Sequence, residues 1–163
     1  MQQTTYTYNN QELNIKINLM PIWFNETHIS GNKARGSIIL ETETIYDDIW
    51  GPIGKIEINW EECKLSDYYH PRMVKKSIDT HTSIGVTFLR KKNDWVNSHI
   101  LTIWHGIRRK LIKTTYYEES SIHGIFHCDI SLRVIEISAA IVKDHFIDYE
   151  RYLLDAFYNI ECH

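Results

Sequence analysis

Two-residue alternation constrains this chain more than any other feature. Phe126, Cys128, Ile130, Leu132 and Val134 alternate with His127, Asp129, Ser131 and Arg133. Successive side chains of a strand point to opposite faces of a sheet, so the pattern predicts a strand buried on one side. The phase then flips, and Ile135, Ile137, Ala139 and Ile141 become the apolar set. A one-residue shift of this kind predicts a β-bulge inside a long strand. Leu13, Ile15, Ile17 and Leu19 alternate with polar residues until Pro21, and Ile56, Ile58 and Trp60 repeat the pattern. Further strands are expected over Ser37–Tyr46 and around Ile84, Val86 and Phe88. His99–His105 and Ile107–Tyr117 read as two strands around Gly106, and Lys92-Asn93-Asp94 reads as a turn.

Two segments carry helical spacing instead. Pro71 suits a first helical turn, with Val74 and Ile78 four apart behind it. Toward the C-terminus, Phe146, Tyr149, Leu153, Ala156, Phe157 and Ile160 share one helical face, with Asp144 or Asp148 placed to cap the start. No helical pattern separates the strands between residues 80 and 142, which excludes a βαβ chain. The expected fold is α+β: a mostly antiparallel β-sheet with a C-terminal amphipathic helix packed on it. The 25 Ile against four Ala agree with that, since β-branched side chains suit a pleated surface.

At 163 residues, with no repeat or linker, residues 1–163 read as a single globular domain. No apolar run reaches the ~18 residues of a membrane span, and MQQTTYTYNN has neither the basic nor the apolar region of a secretory signal. Cys63, Cys128 and Cys162 are odd in number and widely spaced, so no disulfide framework is expected and the compartment reads as a reducing cytoplasm.

The formal net charge of −3 conceals three blocks. Residues 41–70 and 114–163 each carry net −6, while residues 71–113 carry net +8. The first acidic block is interleaved with Tyr46, Trp50, Trp60, Tyr68 and Tyr69. Rings at the centre of a patch and acids at its rim suit the capture of a basic protein, with the charges steering encounter. Trp60 shares the apolar phase of its strand and reads as core. The residues expected to bind a partner are Asp47, Asp48, Trp50, Glu61, Glu62, Asp67, Tyr68 and Tyr69. The basic 90–113 segment holds Arg90-Lys91-Lys92 and Arg108-Arg109-Lys110, with Lys113, Trp95, Trp104, Tyr116 and Tyr117 nearby. Cations and stacking rings in that mixture could make a small nucleic-acid-binding module, which is the alternative function. Two charged turns and a solvated strand face account for the same residues without a ligand.

Catalytic signatures are missing. His123 and His127 are four apart, which on a strand is ~13 Å, too far to share an ion. No CxxC or HExxH occurs, so no metal is expected. His28-Ile29-Ser30 and His81-Thr82-Ser83 resemble the paired triplets of two-histidine phosphoesterases, but lack the flanking hydrophobic residues. No glycine-rich phosphate loop or nucleophile elbow is present, so no cofactor is expected. None of the three cysteines has a local helix start or paired base to make it reactive, and Cys128 reads as core.

A small, Ile-rich domain with patchy charge, surface-capable rings and no catalytic motif resembles the bacterial immunity proteins of contact-dependent and other polymorphic toxin systems. The resemblance is one of overall character. It implies a non-enzymatic protein whose partner is a cognate toxin domain, often a nuclease, which it neutralises by binding.

Overall fold

The computed structural model describes residues 4–43, 53–112 and 114–163, with the side chain of residue 112 outside that description. The first five strands are β1 (Thr5–Asn10), β2 (Ile15–Pro21), β3 (Phe24–Gly31), β4 (Arg35–Thr42) and β5 (Gly54–Glu62). A 3-10 turn (Leu65–Asp67) leads into α1 (His70–Ser83). Then come β6 (Thr87–Val96), β7 (His99–Ile112), β8 (Thr115–Cys128), β9 (Arg133–Val142), α2 (Lys143–Tyr158) and the two-residue β10 (Ile160–Glu161).

Seven strands form one sheet in the order β3-β4-β5-β9-β8-β7-β6, and β1-β2-β10 form a smaller one. Every pairing among the described residues is antiparallel. The expected α+β architecture, with its C-terminal helix on a mostly antiparallel sheet, is the one found. No helix among the described residues is long and apolar enough to cross a membrane.

The apolar phase of each strand explains the core. Ile56, Ile58, Ile135, Ile137, Ile122, Phe126, Leu101 and Ile103 face one side and are buried against Leu153, Ala156 and Phe157 of α2. Gly124 stands beneath α2, where a Cβ would meet the Phe157 ring at 3.1 Å, so the missing side chain lets the helix approach. The small sheet adds Ile15, Ile17, Met20 and Ile160 to the same core. Trp60 is in it too, 2% exposed, with its indole N–H donating to the Asn32 carbonyl.

Several boundaries differ from expectation. Asp129–Leu132 is a turn between β8 and β9, not a bulge: Leu132 takes φ 53°, and Ile130 is exposed. A four-residue connection reverses the chain and resets the phase without a glycine to announce it. Gly106 lies inside the single long strand β7, because a Cβ there would meet Val86 at 2.4 Å and the closeness, not a break, selects glycine. Lys92-Asn93-Asp94 lies inside β6, and the reversal falls at Asn97-Ser98, whose positive φ angles of 45° and 70° fit a two-residue hairpin. Ile84 belongs to the α1 exit, before β6 begins. In β2 the inward position moves from Leu19 to Met20, since two residues of β2, Asn18 and Leu19, face the single residue Thr7 of β1 between Tyr6 and Tyr8. Neither Asp144 nor Asp148 caps α2; Val142 occupies the cap position with no side-chain bond. The α2 helix ends at Tyr158, and Ile160 joins β10. Three strands have no counterpart in the sequence pattern: β1, the two-residue β10, and β3, whose exposed edge position removes any alternation.

Candidate functional site

The second face of the large sheet is polar where the first is apolar. On β7, β8 and β9 the residues pointing away from α2 include Trp104, Ser121, His123, Glu136 and Ser138. Helix α1 lies over them, burying Val74 and Ser77. The Ser77 hydroxyl donates to Glu136 Oε1 at 2.7 Å and accepts from Trp104 Nε1 at 3.1 Å. His81 Nε2 lies 3.0 Å from the same carboxylate oxygen. The His123 ring is sandwiched against Trp104, with centroids 3.8 Å apart, and its nitrogens meet Ser138 and Ser121, each at 2.9 Å. Burial, with the His81 and His105 charges adding to it, pushes the His123 imidazole down to about 2, so it is neutral at physiological pH.

Helix α1 covers only part of this face. Beyond Glu136 the sheet continues into β5 and β4 uncovered, leaving an open groove of about 860 Å³ between α1 and the sheet. Ser37 and Asn59 line its sheet side, Met73 and Lys76 its helix side, and Glu136 stands between them. Glu61 and Glu62, the last residues of β5, line it and are exposed. The segment from Glu61 to Tyr69 then links the two walls. Within it Leu65 is 61% and Tyr69 62% exposed, and Asp67 is exposed.

The structure therefore gathers four of the expected partner-binding residues, Glu61, Glu62, Asp67 and Tyr69, on one connection. Tyr68 differs. It is half-buried, stacked on His127 at 4.4 Å and hydrogen-bonded to His70, so its ring packs inward. Asp47, Asp48 and Trp50 lie outside the described residues, as does Lys113.

The basic segment is divided. Arg90, Lys91 and Lys92 lie on β6, and Arg108, Arg109 and Lys110 on β7. Lys91 pairs across to Trp104, five residues or ~17 Å along β7 from Arg109. Acidic residues answer several of these charges: Arg108 reaches Glu119 at 2.7 Å, Arg90 reaches Glu150 at 3.8 Å, and Lys92 reaches Asp94 at 3.7 Å. Arg109 lies over the Tyr116 ring at 5.0 Å. The two H-x-S triplets are also apart: His28 is on the edge strand β3, and His81 is in the last turn of α1.

Among the described residues, two groups of side chains have donor atoms within 4.8 Å of one another, as metal ligands must: His81, His123 and Glu136, and His99, Cys128, Cys162 and His163. The sequence offers no ligand spacing along the chain for either group. Both groups are assembled by the fold from residues up to 64 positions apart, which no local motif registers. In the first group the His123 nitrogens already have serine partners, and Glu136 accepts from Ser77, so it reads as a satisfied hydrogen-bond network.

No family model matches the chain, and no curated protein does. Solved structures do resemble it. The solution structure of cyanobacterial PsbP (CyanoP) from Synechocystis sp. PCC 6803 superposes with a TM-score of 0.65 at 9% identity, over 99% of this chain and 95% of that one. A Pseudomonas aeruginosa protein of unknown function, described as a putative regulator, gives 0.58 at 8% identity, over 96% and 95%. A Bacteroides thetaiotaomicron protein gives 0.57 at 12% identity, over 99% of this chain but 49% of that one. At such identities the likeness is one of fold alone: the chain shares a whole-domain architecture with these proteins, and its side chains at the groove are its own.

Proposed function

We propose that the protein is a non-enzymatic binding domain that holds a protein partner at the groove between α1 and the sheet, and that it serves as an immunity protein, neutralising a cognate toxin domain, of nuclease type. The observation that carries this reading is the Glu61–Tyr69 connection. Its first two residues, Glu61 and Glu62, line the groove, and the rest of the segment carries exposed Leu65, Asp67 and Tyr69 on its way to α1. Acids at a rim steer a basic partner, and a ring that becomes buried on contact supplies affinity. A nuclease domain is basic where it holds nucleic acid, so it has the complementary charge. The Glu136 network supports the groove as a rigid wall, since each polar group in it has a partner.

The test is a titration of one preparation with the protein encoded beside it, with RNA and with DNA. Tight binding to the neighbouring protein is expected, with Tyr69→Ala speeding dissociation. Salt-sensitive binding to nucleic acid alone, abolished by neutralising Arg108, Arg109 and Lys110, overturns the reading in favour of the basic segment.

A further inference from the structure

On the opposite face of the sheet from the groove, four side chains converge from three places in the fold. His99 opens β7, Cys128 closes β8, and Cys162 and His163 follow β10. Both sulfurs and the His99 ring are buried, at 0%, 2% and 7% exposure, while His163 closes the group from the solvent side. His163 Nδ1 lies 3.5 Å from Cys128 Sγ and 3.4 Å from Cys162 Sγ, and His99 Nε2 lies 3.8 Å from Cys162 Sγ. Tetrahedral zinc, with bonds of ~2.3 Å to sulfur and ~2.0–2.1 Å to nitrogen, sets its S···N edges at ~3.6 Å. These three S···N distances are close to those that a zinc ion imposes, and the remaining donor pairs lie within 4.8 Å.

The surroundings fit a metal as well. Asp129 Oδ1 lies 3.5 Å from His99 Nδ1, the far side of the ring from the cysteines. A carboxylate there favours the tautomer that is protonated at Nδ1 and leaves Nε2 as the lone-pair donor. The Ser131 backbone N–H points at Cys128 Sγ at 3.5 Å. The buried Arg133 guanidinium donates to the carbonyls of Leu13, Asn14 and Cys162, which ties the small sheet to the same corner. We propose that His99, Cys128, Cys162 and His163 bind one zinc ion as a closed structural site that clips β10 to the ends of β7 and β8. Four protein ligands leave no open position, so the ion is structural rather than catalytic. On binding, the thiol protons of Cys128 and Cys162 pass to solvent and both sulfurs ligate as thiolates.

The full chain, reduced and stripped with a chelator, is titrated with Co2+ and then with Zn2+. The expected result is one equivalent of Co2+, intense visible bands of tetrahedral coordination, a thiolate charge-transfer band, and displacement by Zn2+. Loss of the charge-transfer band is expected in Cys128→Ser and in Cys162→Ser, and no change in Cys63→Ser. Asp129 is exposed, so Asp129→Asn should fold normally and weaken zinc binding ~10–100-fold while keeping the tetrahedral spectrum. Failure of the folded, reduced wild type to take up Co2+ overturns the proposal. So does a weak six-coordinate spectrum, an Asp129→Asn affinity equal to wild type, or binding abolished by His81→Gln.

Discussion

The two faces of the seven-stranded sheet solve different problems with the same strands. Under α2 most inward residues are Ile, Leu and Phe, which need no polar partner; the buried His99, His105 and Cys128 of β7 and β8 are among the exceptions. Under α1 the inward residues are His, Ser, Glu and Trp, and each polar atom has to be matched. Apolar burial is non-directional and tolerates a continuous layer. A buried polar network is directional, so it holds one arrangement, and it stops where its partners stop. The first face is covered by α2 together with the small sheet, while α1 covers only part of the second and leaves a groove. Stability is expected to concentrate on the first face, and the second is the face on which we propose recognition.

The largest effect expected from this contrast is on the α2 face. Phe157 is fully buried between α2 and the sheet, over Gly124. Phe157→Ala should lower unfolding free energy by about 3–5 kcal/mol, measured by urea denaturation, because it removes transfer energy and leaves a cavity. A loss below about 1 kcal/mol would mean that the apolar face is not the main source of stability, and the contrast would fail.

The contrast also explains what could be read from the sequence. The α2 face was legible because Ile56, Ile58, Ile137 and Phe157 obey a strand or helix period that any apolar core imposes. The position of Trp60 in that core followed from its phase alone. The other face was opaque, since polar residues in an outward phase look the same whether solvated or bonded to one another. His81, His123 and Glu136 are brought together only by the order β9-β8 and the placement of α1. The His99, Cys128, Cys162 and His163 group needed the C-terminal strand β10 to be placed, and two residues give no periodicity. Glu61 and Glu62 were legible as charged strand-end residues, but the groove they border was not.

A smaller effect separates the faces by pH. His123 is neutral in the folded protein down to about 2 because burial disfavours its charge, with His81 and His105 adding to that. In the unfolded chain it takes a proton near ~6.5. Below that pH the unfolded state binds more protons than the folded state, so stability present above ~6.5 is lost as pH falls. His123→Gln removes this titration while leaving the other groups in place. The stability gap between wild type and His123→Gln should shrink by about 2 kcal/mol between pH 6.5 and 5, at ~1.4 kcal/mol per pH unit. A gap constant over that range, from urea curves at each pH, would show that the imidazole is solvated and that the α1 face is not a closed network.

The smallest effect on stability should be at the groove mouth, and there the contrast becomes sharpest. Glu61 and Glu62 are exposed at the end of β5, and no ion pair among the described residues holds either one. Replacing both with Gln keeps their volume and removes two charges. Unfolding free energy should then change by no more than about 0.5 kcal/mol, as for surface sites without a special role. Binding should respond differently. Rim carboxylates act on approach, so the double variant should associate with the partner protein more slowly, with weaker salt dependence and a nearly unchanged dissociation rate. The two readouts are independent: urea denaturation reports on the fold, and stopped-flow association on the groove. Unchanged association kinetics at low salt would move recognition away from the Glu61–Tyr69 connection. A large loss of stability would mean that the carboxylates serve the fold, and the division of labour between the two faces would not hold.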